Sequence, residues 1–283
     1  MYANKRIYQE YNIDKMFCDE DREPNWYYGI YKINMLVAGG SGSGKTWKIL
    51  TDLLNNVFFE NDDNVLCFLF LPSETYESGS WNNFLRKSNE IFPNVKFIIF
   101  DISRNREFKD FNISKLLFQN VPIVNGFPEL DQIRDLKNQI EQTKSKNKSI
   151  KNFKTLCIFD DFVSNFTKSD WLKYYRYLHN ISRISGNTIS CIQTLKNFPP
   201  SERTSYTVLC LFGNYLPTTN LKTLIENFIP LAITKEQVKR LMNLSRQDTP
   251  ELKHKPLIII GSTAPHGRNI MFNNKYVVFY ENQ

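Results

Sequence analysis

Apolar runs of strand length alternate along this chain with stretches whose apolar residues recur at helical spacing. Residues 33–38 (Ile-Asn-Met-Leu-Val-Ala) read as a first strand. A helix is expected over 45–58, with Leu50, Leu53 and Leu54 on one face. Val65–Leu71 is a continuous apolar run, ended by Pro72, Ser73 and Glu74, and the pattern predicts a helix over 81–92. Residues 95–100 form a third strand, closed by Asp101. No clear period governs 102–126. Leu130, Ile133, Leu136 and Ile140 predict a helix over 130–143, followed by a lysine-rich polar loop at 144–148. Strands are expected at 155–159, 188–192, 207–212, Leu257–Ile260 and Lys275–Tyr280, and helices at 171–184, 221–228 and 235–244.

Near-continuous apolar strands must be covered on both faces, and the intervening helices supply that cover. The expected fold is therefore α/β, a mostly parallel sheet flanked by helices. No internal repeat or convincing linker divides the chain. The expected core spans 31–213, with an N-terminal extension at 1–30. Helices and strands at 214–283 extend or complete the same domain.

Between the first strand and its helix stands Gly39-Gly40-Ser41-Gly42-Ser43-Gly44-Lys45-Thr46. This is a P-loop pattern in the strand–loop–helix context that gives it meaning. Its glycines let backbone N–H groups curl toward phosphate oxygens, and the helix N-terminus adds partial positive charge. Lys45 would reach the β and γ phosphates of ATP, and the Thr46 hydroxyl would ligate Mg2+. The alternative is a glycine-rich turn followed by a chance Lys-Thr pair.

Such a site also needs a carboxylate at the tip of a neighbouring strand. Leu156-Cys157-Ile158-Phe159 runs directly into Asp160 and Asp161. Asp160 is expected on the metal side, and Asp161 is expected to polarise the attacking water. Asp101 also ends an apolar strand but lacks a second acid, which makes it the runner-up. Gln193, at the end of the strand over 188–192, has both a donor and an acceptor with which to sense a γ-phosphate. A solvated strand end is the plain alternative for each of these residues.

Composition narrows the setting more than the chemistry. Lys and Arg number 36 against 29 acids, a net charge of +7, which permits contact with a polyanion without demanding it. The five cysteines form no CxxC pair, and the three histidines are scattered, so a zinc site is not expected. The N-terminal stretch is polar and the apolar runs are too short to span a bilayer. A soluble, cytoplasmic protein without a secretion signal is expected.

The order of these motifs carries a family resemblance. Gly-Gly-Ser-Gly-Ser-Gly-Lys-Thr is followed by Ile-Phe-Asp-Asp, then by Ser-Arg-Ile-Ser-Gly-Asn-Thr-Ile-Ser-Cys-Ile-Gln-Thr, then by Phe-Pro-Pro-Ser-Glu-Arg ending at Arg203. Over about 31–213 this resembles the genome-packaging ATPases of large DNA viruses and virophages. These form the poxvirus-like branch of the FtsK–HerA superfamily. The resemblance implies a RecA/FtsK-like fold and a homo-oligomeric ring that drives double-stranded DNA into a preformed capsid. Its partners would be DNA phosphates and a capsid or portal-like protein, in an infected cell or a virion. It also implies an arginine acting on the neighbouring subunit's site, Arg183 first and Arg203 second. The family often has Gly-Arg-His where this chain has Ile181 to Ser185, which leaves the register of that arginine open, and 214–283 match no motif.

Lys144, Lys146, Lys148, Lys151 and Lys154 are candidate DNA-phosphate contacts, with a solvated loop as the alternative. Trp26, Tyr27 and Tyr28 lie just before the first strand, where stacking on adenine competes with packing. Two other functions stay open. A P-loop phosphotransferase would draw on Arg104 and Arg106 in a lid, and a DNA-binding switch would use ATP only to assemble.

Overall fold

The computed structural model describes residues 7–12, 33–54, 58, 65–77, 79–103, 120–126, 131–132, 135, 154–161, 187–193, 206–212, 256–260, 269–272 and 275–280. The chain divides into two compact units, 46–191 and 1–45 with 192–283. The helices expected over 171–184, 221–228 and 235–244 lie outside the described residues. Of the helix expected over 130–143, Asp131, Gln132 and Asp135 are described, and they are helical.

The unit over 46–191 is built on parallel strands. Its strands are β3 (Val65–Leu71), β4 (Val95–Asp101), β5 (Ile123–Asn125), β6 (Lys154–Phe159) and β7 (Asn187–Ile192). They run in the order β7-β6-β3-β4-β5, every neighbour parallel. All seven residues of β3 are buried, as a strand covered on both faces requires. Register aligns Phe100, Phe70 and Phe159 in one row. Their rings stack at 4.9 Å and 4.3 Å between centroids. Cys67 lies in the same core, where burial and the neighbouring Cys157 push its thiol pKa well above its ordinary value. It behaves as a small hydrophobe.

Helix α1 (Lys45–Leu54) begins at the end of the glycine-rich loop. It buries Ile49, Leu50 and Leu53, while Leu54 is 48% exposed. The sequence pattern assigned Leu54 to the buried face. At about 100° per residue, Ile49, Leu50 and Leu53 share one face, and Leu54 lies roughly a quarter-turn from the centre of that face, past its edge at Leu50. The helix does not reach Phe58, which lies buried in a turn. Lys48 and Asp52 pair one turn apart along α1.

After β3 the chain turns into α2 (Ser73–Glu77) and α3 (Gly79–Ile91). Ser73 and Glu74 therefore start a helix, where the sequence reading had them only ending a strand. The Pro72 carbonyl accepts from the Thr75 and Tyr76 N–H groups at the first turn. In α3, Trp81, Phe84, Leu85 and Ser88 are buried at the spacing of one helical face. Phe84 packs edge-on against Trp81 at 5.9 Å and against Phe97 of β4 at 5.6 Å. Pro93 follows two residues after the helix ends and cannot continue it.

In the other unit, β2 (Asn34–Ala38) pairs in parallel with β8 (Val208–Leu211). From β8 onward the pairing is antiparallel. It passes through β9 (Leu257–Ile260), β10 (Asn269–Phe272) and β11 (Lys275–Tyr280) to β1 (Ile7–Asn12). Parallel neighbours need a long crossover, whereas β10 and β11 are two residues apart in sequence, a separation only an antiparallel pair allows. The whole is thus a mixed, mostly parallel α/β fold. Among the described residues, no helix is long and apolar enough to cross a membrane.

Candidate functional site

The loop that follows β2 is shaped by its glycines. Gly42 and Gly44 take φ of 71° and 101°, the left-handed region that side chains disfavour. Gly39 is needed for a different reason. A Cβ there would lie 2.7 Å from Ser43 Oγ and 2.8 Å from Phe212 Cβ. Gly39→Ala should therefore cost about 1–3 kcal/mol of stability, the usual range for overpacking, and distort the loop. Chemical denaturation checks it, and an unchanged midpoint would mean that Ser43 and Phe212 yield freely.

Inside the loop, Lys45 Nζ donates to the Gly39 and Gly40 carbonyls, each at 2.8 Å. Lys45 is only 8% exposed. Its ammonium is thus held along the loop, among the backbone groups a phosphate would approach. The Gly39 N–H donates to the Ile192 carbonyl at 3.1 Å. That bond brings the end of β7, and with it the next residue Gln193, to the start of the loop.

The acid pair sits at the end of β6. Thr46 Oγ1, on the residue after the loop lysine, donates to Asp160 Oδ2 at 2.7 Å. Trp81 Nε1 donates to the same oxygen at 2.9 Å. The other oxygen, Oδ1, accepts the backbone N–H of Asp161 at 2.9 Å. Asp160 is 1% exposed, so these donors stabilise a carboxylate taken out of water. Asp161 is exposed, and among the described residues it is the one non-glycine residue with positive φ, 51°. Aspartate tolerates this region better than most residues. The turn swings the Asp161 carboxylate toward α2, where Thr75 Oγ1 donates to its Oδ2 at 3.3 Å.

A hydroxyl and a carboxylate meeting directly after the loop lysine are hard oxygen donors of the kind that suit Mg2+. The residues present therefore fit a magnesium–nucleotide complex.

Asp101, the competing acid, is placed otherwise. It is fully buried at the end of β4. Tyr76 Oη donates to its Oδ2 at 2.7 Å, and Ser103 donates to its Oδ1 through both Oγ at 2.6 Å and N at 3.1 Å. Asp101 thereby ties the β4 terminus to α2, away from Thr46.

The structure thus brings Thr46 together with Asp160, Asp161 beside Asp160, and Lys45 with the loop carbonyls. Lys154 opens β6 and is half-buried. Arg183, Arg203, Arg104, Arg106, Lys144, Lys146, Lys148, Lys151, Trp26, Tyr27 and Tyr28 lie outside the described residues. Sequence reasoning missed Trp81 and Thr75. Neither sits in a motif, and their meaning depends on β3 lying next to β6.

No curated protein matches the sequence. The genome packaging NTPase B204 from Sulfolobus turreted icosahedral virus 2, in complex with AMP, is similar over 85% of this chain and 96% of its own, at 11% identity and a TM-score of 0.46. The DNA-packaging ATPase B204 from Sulfolobus turreted icosahedral virus is similar over 86% and 97%, at 11% identity and a TM-score of 0.45. EssC (ATPases 2 and 3) from Geobacillus thermodenitrificans is similar over 88% of this chain and 39% of its own, at 12% identity and a TM-score of 0.44. The family model described as Poxvirus A32 protein matches residues 122–274, a span that holds Asp160, Asp161, Arg183, Gln193 and Arg203 and begins after the glycine-rich loop. With more than half of its length matched, the chain belongs to the Poxvirus A32 protein family.

Proposed function

We propose that this chain is an ATP-hydrolysing motor that moves double-stranded DNA into a viral capsid. The observation that carries the reading is the 2.7 Å bond from Thr46 to Asp160, made directly beyond a loop that already cradles Lys45. Family membership points the same way for the user of the energy.

In this reading the N–H groups of residues 39–46 and the Lys45 ammonium hold the phosphates of ATP. Thr46 and Asp160 hold Mg2+, which supplies charge neutralisation at the γ-phosphate. Asp161 orients and deprotonates the attacking water, and Gln193 contacts the γ-phosphate or that water. Arg183, with Arg203 second, acts on the site of the adjacent subunit in a homo-oligomeric ring. The ATPase core is 31–213, extended by 1–30 and 214–283.

DNA contact is to phosphates, because a packaging motor must move along any sequence. The lysines at 144, 146, 148, 151 and 154 are the proposed contacts. A capsid or portal-like protein is the remaining partner, in the cytoplasm of an infected cell or in the virion.

The test is ATP hydrolysis with and without duplex DNA, at several protein and salt concentrations. Hydrolysis should rise with DNA, rise per subunit with protein concentration as shared sites assemble, and lose its DNA response as salt increases. Hydrolysis indifferent to DNA at low salt, with no DNA retained, overturns the motor. ADP release dependent on a small acceptor would establish a phosphotransferase instead. Tight DNA binding and assembly with negligible turnover would establish a switch.

A further inference from the structure

Two donors of different kinds share Asp160 Oδ2, the Thr46 hydroxyl at 2.7 Å and the Trp81 indole N–H at 2.9 Å. A hydroxyl can rotate, and it carries lone pairs. Thr46 can turn its hydrogen away and offer oxygen to a cation. An indole N–H is a donor only and has no such alternative. Trp81 is also fixed in place. It is 1% exposed in α3, its ring edge-on to Phe84, which in turn is edge-on to Phe97 of β4. One partner of Asp160 is thus free to leave when a metal arrives, and the other is not.

We propose that Trp81 is a positioning residue for the hydrolytic reaction, holding the Asp160 carboxylate in place while the Thr46 hydroxyl exchanges Asp160 for the metal. The role rests on the nucleotide-hydrolysing reading of the site. Without the indole, Asp160 Oδ2 would lose its fixed donor at the moment its mobile donor departs, leaving the Asp161 N–H on Oδ1 as the remaining hydrogen bond to the carboxylate. A buried oxygen left without a donor is costly, and a carboxylate held through Oδ1 alone is free to turn about that bond until Oδ2 finds water or another partner. A conserved orientation of a ligating carboxylate by an outer hydrogen bond is a general means of strengthening a metal site.

Trp81→Phe keeps an aromatic ring against Phe84 and removes the N–H. Mg2+ is titrated into protein loaded with a non-hydrolysable ATP analogue, and the metal-free analogue is titrated separately in the presence of a chelator. The variant should need about 10–100-fold more Mg2+, the usual effect of losing an outer partner of a metal ligand, with metal-free nucleotide affinity unchanged. Loss of a merely structural residue would weaken both. Equal Mg2+ affinity in the variant and the unaltered protein, with nucleotide binding intact, overturns the positioning role alone. If the unaltered protein binds no nucleotide, the hydrolytic reading falls and the positioning role falls with it.

A second measurement keeps Trp81 and does not depend on the Trp81→Phe variant folding. The chain has four tryptophans. Replacing Trp26, Trp47 and Trp171 with phenylalanine leaves Trp81 as the sole indole. Its N–H resonance should shift when Mg2+ is added to nucleotide-loaded protein and should stay slow to exchange with solvent. A resonance that does not move on Mg2+ addition overturns the proposal.

Discussion

Replacing Lys45 with alanine is expected to abolish measurable ATP hydrolysis and to weaken nucleotide binding severely. Two effects act together. In the proposed reading the ammonium is the positive charge that meets the phosphates, and removing one preorganised donor to developing charge typically costs about 10²–10³-fold in rate. The same ammonium also satisfies the Gly39 and Gly40 carbonyls at 2.8 Å each, in a position only 8% exposed. Its loss removes two of the loop's internal hydrogen bonds. Lys45→Arg should not restore activity. A planar guanidinium is a wider fork than a compact ammonium and cannot reproduce both bonds inside a turn this tight. Phosphate release and calorimetric nucleotide binding measure the two effects separately. Wild-type hydrolysis in Lys45→Ala would remove Lys45 from the site.

What the sequence disclosed, it disclosed through local pattern. β3 is legible because all seven of its residues are apolar, and Asp160 because a charge directly after four buried residues stands out. The loop is legible because its glycines are demanded by backbone geometry and by the close approach of Ser43 and Phe212. The elements that escaped lack such a signal. Three-residue β5 is too short to show a period. β1 contains Gln9, Glu10 and Asn12 and exists as a strand through pairing with β11, more than 260 residues away in sequence.

Trp81 and Thr75 escaped for a sharper reason. Trp81 reads as one more apolar position on a helix face, and Thr75 falls between the strand end at 72–74 and the helix expected over 81–92. Each reaches the acid pair only because β3 and β6 are neighbours in register, with Phe70 opposite Phe159. A single segment after β3 therefore supplies donors to three strand-end carboxylates. Tyr76 reaches Asp101, Thr75 reaches Asp161, and Trp81 reaches Asp160. That convergence is a property of topology, and no local period encodes it.

Asp161→Asn should separate binding from chemistry. Asparagine, like aspartate, tolerates the left-handed region, so the turn at φ 51° should survive. The amide oxygen can still accept from Thr75, and the backbone N–H to Asp160 Oδ1 is untouched by the change. Thr46 and Asp160 keep their geometry, and nucleotide affinity should stay close to that of the unaltered protein. What disappears is a carboxylate able to take a proton from water, a contribution of about 10²–10⁴ in rate. Thr75→Ala should act in the same direction but more weakly, because it removes one hydrogen bond to the carboxylate and leaves the carboxylate itself in place. Asp160→Asn makes the contrast. It alters the oxygen shared by Thr46 and Trp81, so there metal-dependent binding should fail along with hydrolysis. Rapid-quench hydrolysis beside equilibrium binding of a labelled analogue gives both quantities for all three variants. Binding and hydrolysis lost in parallel in Asp161→Asn would place Asp161 with the metal ligands. Hydrolysis unaffected would require another residue to activate the water.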